Sequence, residues 1–125
     1  DVTGFGLLGH TLEMTQGAGL MATIHADALP WLQGVQDLAR QGIATGASDR
    51  NWHACEASVQ LSADIDVPTR KLLTDPQTSG GLLVACAPDA RDQVLELFRA
   101  EGFDQAAVIG RMSAGEPQVH VVPAA

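Results

Sequence analysis

The residues of this chain best suited to chemistry fall in two short stretches and a few isolated side chains. The first stretch, Asp1-Val2-Thr3-Gly4-Phe5-Gly6-Leu7-Leu8-Gly9-His10, sets a carboxylate ahead of a glycine-rich segment with helical apolar spacing. A carboxylate there can complement a helix dipole, or it can reach outward to a cation. The second, Asp75-Pro76-Gln77-Thr78-Ser79-Gly80-Gly81, joins short polar side chains to a glycine pair behind a proline that fixes its own φ. Such a loop can hold a ligand on its amides and hydroxyls, or it can be a tight structural turn. His53 and Cys55 lack the second pair that a zinc site needs and read as a chance pair. His10, His25 and His120 are scattered without triad spacing, and Cys86, inside an apolar run, is expected to be an inert buried thiol. No Gly-x-x-x-x-Gly-Lys loop is present. Gly4-Phe5-Gly6 opens like a dinucleotide fingerprint, but its third glycine falls at Gly9 and no strand of this chain precedes it. With no nucleophile beside a local base, the chain on its own is not expected to be a complete enzyme.

Both stretches need a frame, and the sequence punctuates one. Phe5, Leu8 and Leu12 predict a helix with Thr3 as its cap, stopped at Gly17-Ala18-Gly19. Gly4, Gly6 and Gly9 are costly in a helix and indicate close backbone packing along one side. Residues 20–26 alternate as a strand, and Trp31 anchors the turn that follows. A short helix over 34–40 turns Val35, Leu38 and Ala39 inward and closes at Gly42. Residues 45–48 read as loop, 49–56 as a helical turn or two, and Val59 and Leu61 as a short edge strand. Asp66-Val67-Pro68 starts a helix that directs Leu72 and Leu73 to the core and ends before Asp75-Pro76. Leu82 to Cys86 is an unbroken apolar run, as expected for a central strand covered on both faces. Pro88 opens an amphipathic helix with Val94, Leu97 and Phe98 on one face and Gly102 at its end. Residues 106–112 and 118–122 predict two last strands, antiparallel, around a hairpin-like turn at 113–117. Helices and about five strands without a strict βαβ rhythm predict an α+β domain with a mixed sheet.

A chain of 125 residues, 46% hydrophobic and 18% charged, suffices for one globular domain. Its net charge of −8 argues against a nucleic-acid partner, whose binding surface is normally basic. Phosphates bridged by magnesium stay compatible with that charge, because carboxylates reach them through the metal. No apolar run approaches a membrane span and no signal segment opens the chain, so no membrane partner is expected. Two distant cysteines make no disulfide framework, which favours a reducing, cytoplasmic setting. The chain begins at Asp with a functional-looking segment, so it reads as a piece of something longer.

Together the stretches at 1–10 and 75–83 resemble selenophosphate synthetase (selenide, water dikinase), a family related to aminoimidazole ribonucleotide synthetase. Ala28-Leu29-Pro30, Gly46, Arg50-Asn51 and Ala107-Val108-Ile109-Gly110-Arg111 follow in that family's order. The resemblance covers essentially the whole chain, but only the C-terminal part of the family's proteins. It implies a single domain over 1–125, preceded in the intact protein by an ATP-binding, catalytic N-terminal domain that supplies the reactive Cys or selenocysteine, a Lys, the glycine-rich loop and most metal ligands. It also implies the parent reaction, in which ATP, selenide and water give selenophosphate, AMP and orthophosphate with magnesium. Asp1 matches a family aspartate that holds magnesium beside the ATP phosphates. Thr3, Gly4, Asn51, Asp75, Thr78, Ser79, Gly80 and Gly81 are then expected along the ATP/phosphate or interdomain cleft. No catalytic residue and no tightly bound cofactor are expected in the fragment alone. Its expected partners are its own N-terminal domain and, in the parent enzyme, a second subunit. Gly46-Ala47 stands where the family often has Gly-Gly. The alternatives are a non-catalytic interaction module of the same fold and the matching domain of a purine-biosynthesis synthetase.

Overall fold

The computed structural model describes residues 1–125. Five α-helices, α1 (Gly6–Ala18), α2 (Val35–Arg40), α3 (Gly46–Cys55), α4 (Val67–Leu73) and α5 (Arg91–Ala100), accompany four strands, β1 (Met21–His25), β2 (Val59–Leu61), β3 (Gly110–Ser113) and β4 (Val119–Val122). The sheet order is β2-β4-β1-β3. β1 runs parallel to β4 and antiparallel to β3, and β2 runs parallel to β4, so the sheet is mixed and the α+β expectation holds.

Local chemistry explains most boundaries. Gly19 ends α1 in the left-handed region, with its N–H on the Thr15 carbonyl. Asp66 caps α4 by accepting from the Thr69 N–H at 2.9 Å, and Pro68 lies in the first turn, where no amide is needed. Thr45 caps α3 by accepting from the Ser48 N–H, so that helix begins at Gly46 and not at 49 as expected. Thr3 does not cap α1. Phe5 occupies the cap position without a side-chain bond, while the Thr3 carbonyl accepts from the Gly6 N–H at 3.1 Å.

Alternation along the strands builds the core. Ala22 and Ile24, Val59, and Val119 and Val121 face one side and are buried with Leu8 and Leu12 of α1 and Leu73 of α4. Leu8 and Leu73 are fully buried, each contributing about 1.5–3 kcal/mol of transfer free energy.

The second half departs from expectation. Leu82 to Cys86 joins no strand and makes no backbone hydrogen bond, and Leu82 is 63% exposed. An apolar run signals burial, but a ladder also requires a partner strand, and this run pairs with neither free edge of the sheet, at β2 or at β3. Cys86 is therefore an exposed thiol, not a buried one. α5 forms where its apolar periodicity predicts, yet none of its residues is buried. Residues 106–109 stay outside β3. β3 and β4 run in opposite directions as expected, but they are not a hairpin pair, because β1 lies between them. Leu38, expected inward, is exposed, and Ala39 makes the buried contact of α2.

Candidate functional site

The fold brings the two motif stretches into direct contact. The Val2 N–H donates to the Gly81 carbonyl at 2.9 Å, and the Gln77 N–H donates to the Thr3 carbonyl at 3.0 Å. Val2 is buried beneath this junction, whereas Asp1 beside it is exposed. Two glycines let the backbones approach. At Gly6, which has φ of 72°, an added Cβ would lie 2.8 Å from the Thr74 carbonyl carbon. At Gly80 it would lie 2.0 Å from the Val2 carbonyl oxygen. The expected close packing thus holds at Gly6, while a Cβ at Gly4 would meet nothing within 4 Å.

α3 and α4 brace the junction from below. The Asn51 side-chain amide donates to the Gly4 carbonyl at 2.8 Å and to the Thr74 carbonyl at 3.0 Å. One turn earlier on α3, the buried Ser48 hydroxyl donates to the Lys71 carbonyl at 2.6 Å and meets the Thr74 hydroxyl at 3.0 Å. Arg70 of α4 lies over the Trp52 ring at 5.2 Å and reaches Asp49 at 3.5 Å, tying the same two helices together.

On its outer side the second loop walls a groove of about 420 Å³ with Trp31 and Val35 opposite Asp75, Gln77, Thr78 and Ser79. Asp75 is half-buried there, and desolvation pushes its carboxyl above the ordinary carboxylate range. Thr78 and Ser79 are exposed at the rim.

One constellation was not legible as such in the sequence. The Thr3 hydroxyl lies 3.0 Å from His10 Nε2, and His10 Nδ1 lies 3.1 Å from Glu13 Oε2. A hydroxyl, an imidazole and a carboxylate therefore stand in line along the start of α1, with the carboxylate able to hold the proton on Nδ1. The signal was the three-residue spacing of His10 and Glu13, which stacks them on one helix face.

The remaining candidates stay apart. His53 Nδ1 lies 3.4 Å from Glu56, and Cys55 is buried, which pushes its thiol pKa up. No group of three or more His, Cys, Asp or Glu residues gathers in a way that could hold a metal ion. Magnesium commonly takes one or two carboxylates with phosphates and waters, so the lone exposed carboxylate of Asp1 suits one corner of such a shell. No helix is long and apolar enough to cross a membrane.

A mixed four-stranded α+β domain with two glycine-containing loops fastened to each other is the class of protein defined here. Residues 1–122 match the family described as AIR synthase related protein, C-terminal domain, and the chain belongs to that family. Among curated proteins, the chain is 59% identical over 122 residues to a selenide, water dikinase of Paraburkholderia xenovorans, covering 98% of this chain and 34% of that protein. It is 47% identical over 122 residues to the selenide, water dikinase of Dechloromonas aromatica, covering 98% of this chain and 35% of that one. The corresponding protein of Rhizobium meliloti is 48% identical, also over 122 residues, with 98% and 35% covered. The resemblance read from the two motifs therefore holds, and the chain spans about a third of the length of these relatives.

Proposed function

We propose that this chain is the C-terminal domain of a selenide, water dikinase and forms one wall of an ATP-binding cleft completed by an N-terminal domain. The observation that carries the reading is the fastening of the two motif stretches to each other through Val2–Gly81 and Gln77–Thr3. Relatives bearing the name selenide, water dikinase match the chain across both stretches. The parent reaction consumes ATP, selenide and water and yields selenophosphate, AMP and orthophosphate, in a cytoplasmic enzyme that pairs with a second subunit.

Within that cleft Asp1 is one magnesium ligand, and Thr3, Gly4, Asn51, Asp75, Thr78, Ser79, Gly80 and Gly81 frame the phosphate side. Magnesium, when bound, would offset the charge of the phosphate oxygens. The chain's own residues hold the frame: Gly6 and Gly80 permit the close approach, and the exposed Thr78 and Ser79 hydroxyls offer donors to phosphate.

Selenide-dependent AMP formation by the full-length protein tests this reading, with Asp1→Ala expected to lower turnover by roughly a hundredfold while the fold stays intact. Unchanged turnover would return Asp1 to complementing the helix start. A second reading, a non-catalytic interaction module of the same fold, is favoured by one observation, the exposure of Leu82, Val84, Leu97 and Phe103. AMP formation by the full-length wild type would overturn it.

A further inference from the structure

We infer that Asn51 is the positioning residue that sets the spacing of the two motif loops, acting through its side-chain N–H groups and not through contact with the nucleotide. The inference deepens the reading above and rests on it for its activity arm only.

Asn51 sits on α3, 47 residues from Gly4 and 23 from Thr74, and its side chain is where the loops of the two motifs meet a third element. Both neighbours are backbone carbonyls, at 2.8 and 3.0 Å. A carbonyl only accepts, so the side-chain orientation is fixed: Nδ2 faces them, with its two hydrogens used, and Oδ1 points elsewhere. Gly4 O belongs to the loop carrying Asp1 and Thr3, and Thr74 O immediately precedes Asp75. A single planar amide therefore fixes the separation of one loop from the other at the base of the junction.

The surroundings hold the amide in place. Thr74 is itself buried, and its hydroxyl is bonded to Ser48 on the same helix as Asn51. The Thr74 carbonyl consequently has little freedom to follow a displaced partner. Above the amide, the Val2–Gly81 and Gln77–Thr3 bonds can form together only when the two loops keep this spacing. Positioning of this kind matters for chemistry because a displacement of about 1 Å can lower a rate on the order of a hundredfold.

Asn51→Asp separates the two roles. It keeps the shape and the acceptor oxygen, but it replaces the two donors with an anion facing two carbonyls. A residue that touched ligand through Oδ1 would tolerate that change. A clamp would not. Asn51→Ala removes donors and acceptor together without adding repulsion, and it serves if the aspartate variant folds poorly. Asn51→Gln retains the donors on a longer arm.

The experiment is amide hydrogen exchange on the full-length protein for wild type and the three variants, reading Val2 and Gln77, with amides of β1 and β4 as the control for global folding. In the aspartate and alanine variants the two junction amides are expected to exchange at least roughly tenfold faster, with the sheet amides unchanged. Unchanged junction amides in both would overturn the inference whatever the activity shows. The second readout is selenide-dependent AMP formation per folded molecule, expected to fall in the order wild type, Gln, Ala, Asp. Activity of the Asp variant above that of the Gln variant would place the role on Oδ1 and sink the clamp. A wild type that forms no AMP would count against the proposed function alone and leave the exchange result standing.

Discussion

Adjacent glycines of the second motif are predicted to respond in opposite ways to the same substitution. A Cβ at Gly80 would lie 2.0 Å from the Val2 carbonyl oxygen and 2.8 Å from Gln77 Oε1, whereas a Cβ at Gly81 would meet nothing within 4 Å. Neither residue has a positive φ, so backbone conformation does not confuse the comparison. The Gln77 side chain can move aside, but the Val2 carbonyl is backbone on a buried residue. Forcing apart well-packed groups costs about 1–3 kcal/mol. The separation also weakens Val2–Gly81 and Gln77–Thr3, each a hydrogen bond worth about 0.5–1.5 kcal/mol. Gly80→Ala is therefore expected to destabilise by about 2–4 kcal/mol, which lowers Tm by roughly 8–16 °C for a domain of this size. Gly81→Ala is expected to be neutral or to stabilise by up to about 1 kcal/mol, through a less flexible unfolded chain. Urea and thermal unfolding measure both. If residues 1–5 simply detach, the global loss is capped, and exchange of the Val2 amide then reports the broken junction. Values for the two variants within about 0.5 kcal/mol of each other, with Val2 still protected in both, would refute the steric account.

Two further predictions concern titratable groups. Asp75 has its folded pKa raised by desolvation, so its ionised form costs native stability at neutral pH. Asp75→Asn should stabilise the fold above that raised pKa, with the gain fading as pH falls through it and gone below the unfolded carboxylate value; a gain that persists in acid would contradict the assignment. At His10, Glu13 should hold the proton on Nδ1 and leave Nε2 to accept from the Thr3 hydroxyl. Nitrogen-15 shifts of the ring should show the Nδ1–H tautomer in the wild type and lose it in Glu13→Ala, and a wild-type ring protonated on Nε2 alone would break the proposed line of contacts.

What could be read from the sequence was whatever short-range chemistry decides. Asp66-Val67-Pro68 and Gly19 mark their helix ends because caps and φ preferences act within a few residues. The alternation of Val119 and Val121 places β4 because one face of a strand is buried. The illegible parts are those settled over distance. Nothing near Leu82 to Cys86 says that the run will pair with neither edge strand of the sheet, β2 or β3, so an inner-strand composition there finds no ladder. The turn at 113–117 looks like a hairpin because sequence neighbours usually pair, and only the insertion of β1 separates the strands. Asn51 was identified as a site residue by family order, but its donors meet carbonyls from two other segments, which no local pattern encodes.

The geometry also sorts the motif positions by what constrains them. Gly6 and Gly80 are fixed by sterics, because any side chain there meets backbone. Val2, Gln77 and Gly81 join the loops through main-chain groups, so that contact restricts their side chains little. Asn51 is fixed by its donors, and Thr74 by burial beside Ser48. Asp1, Thr78 and Ser79 fall into none of these groups: each is exposed, and none makes a side-chain hydrogen bond within the chain. The fold needs neither a carboxylate nor hydroxyls at those positions, yet it holds the backbone that carries them by several independent contacts. An exposed polar group on a rigid support has little to do for stability and much to offer a ligand. That contrast makes Asp1, Thr78 and Ser79 the residues whose chemistry calls for an explanation outside the fold, and the magnesium and phosphate binding proposed above would provide one.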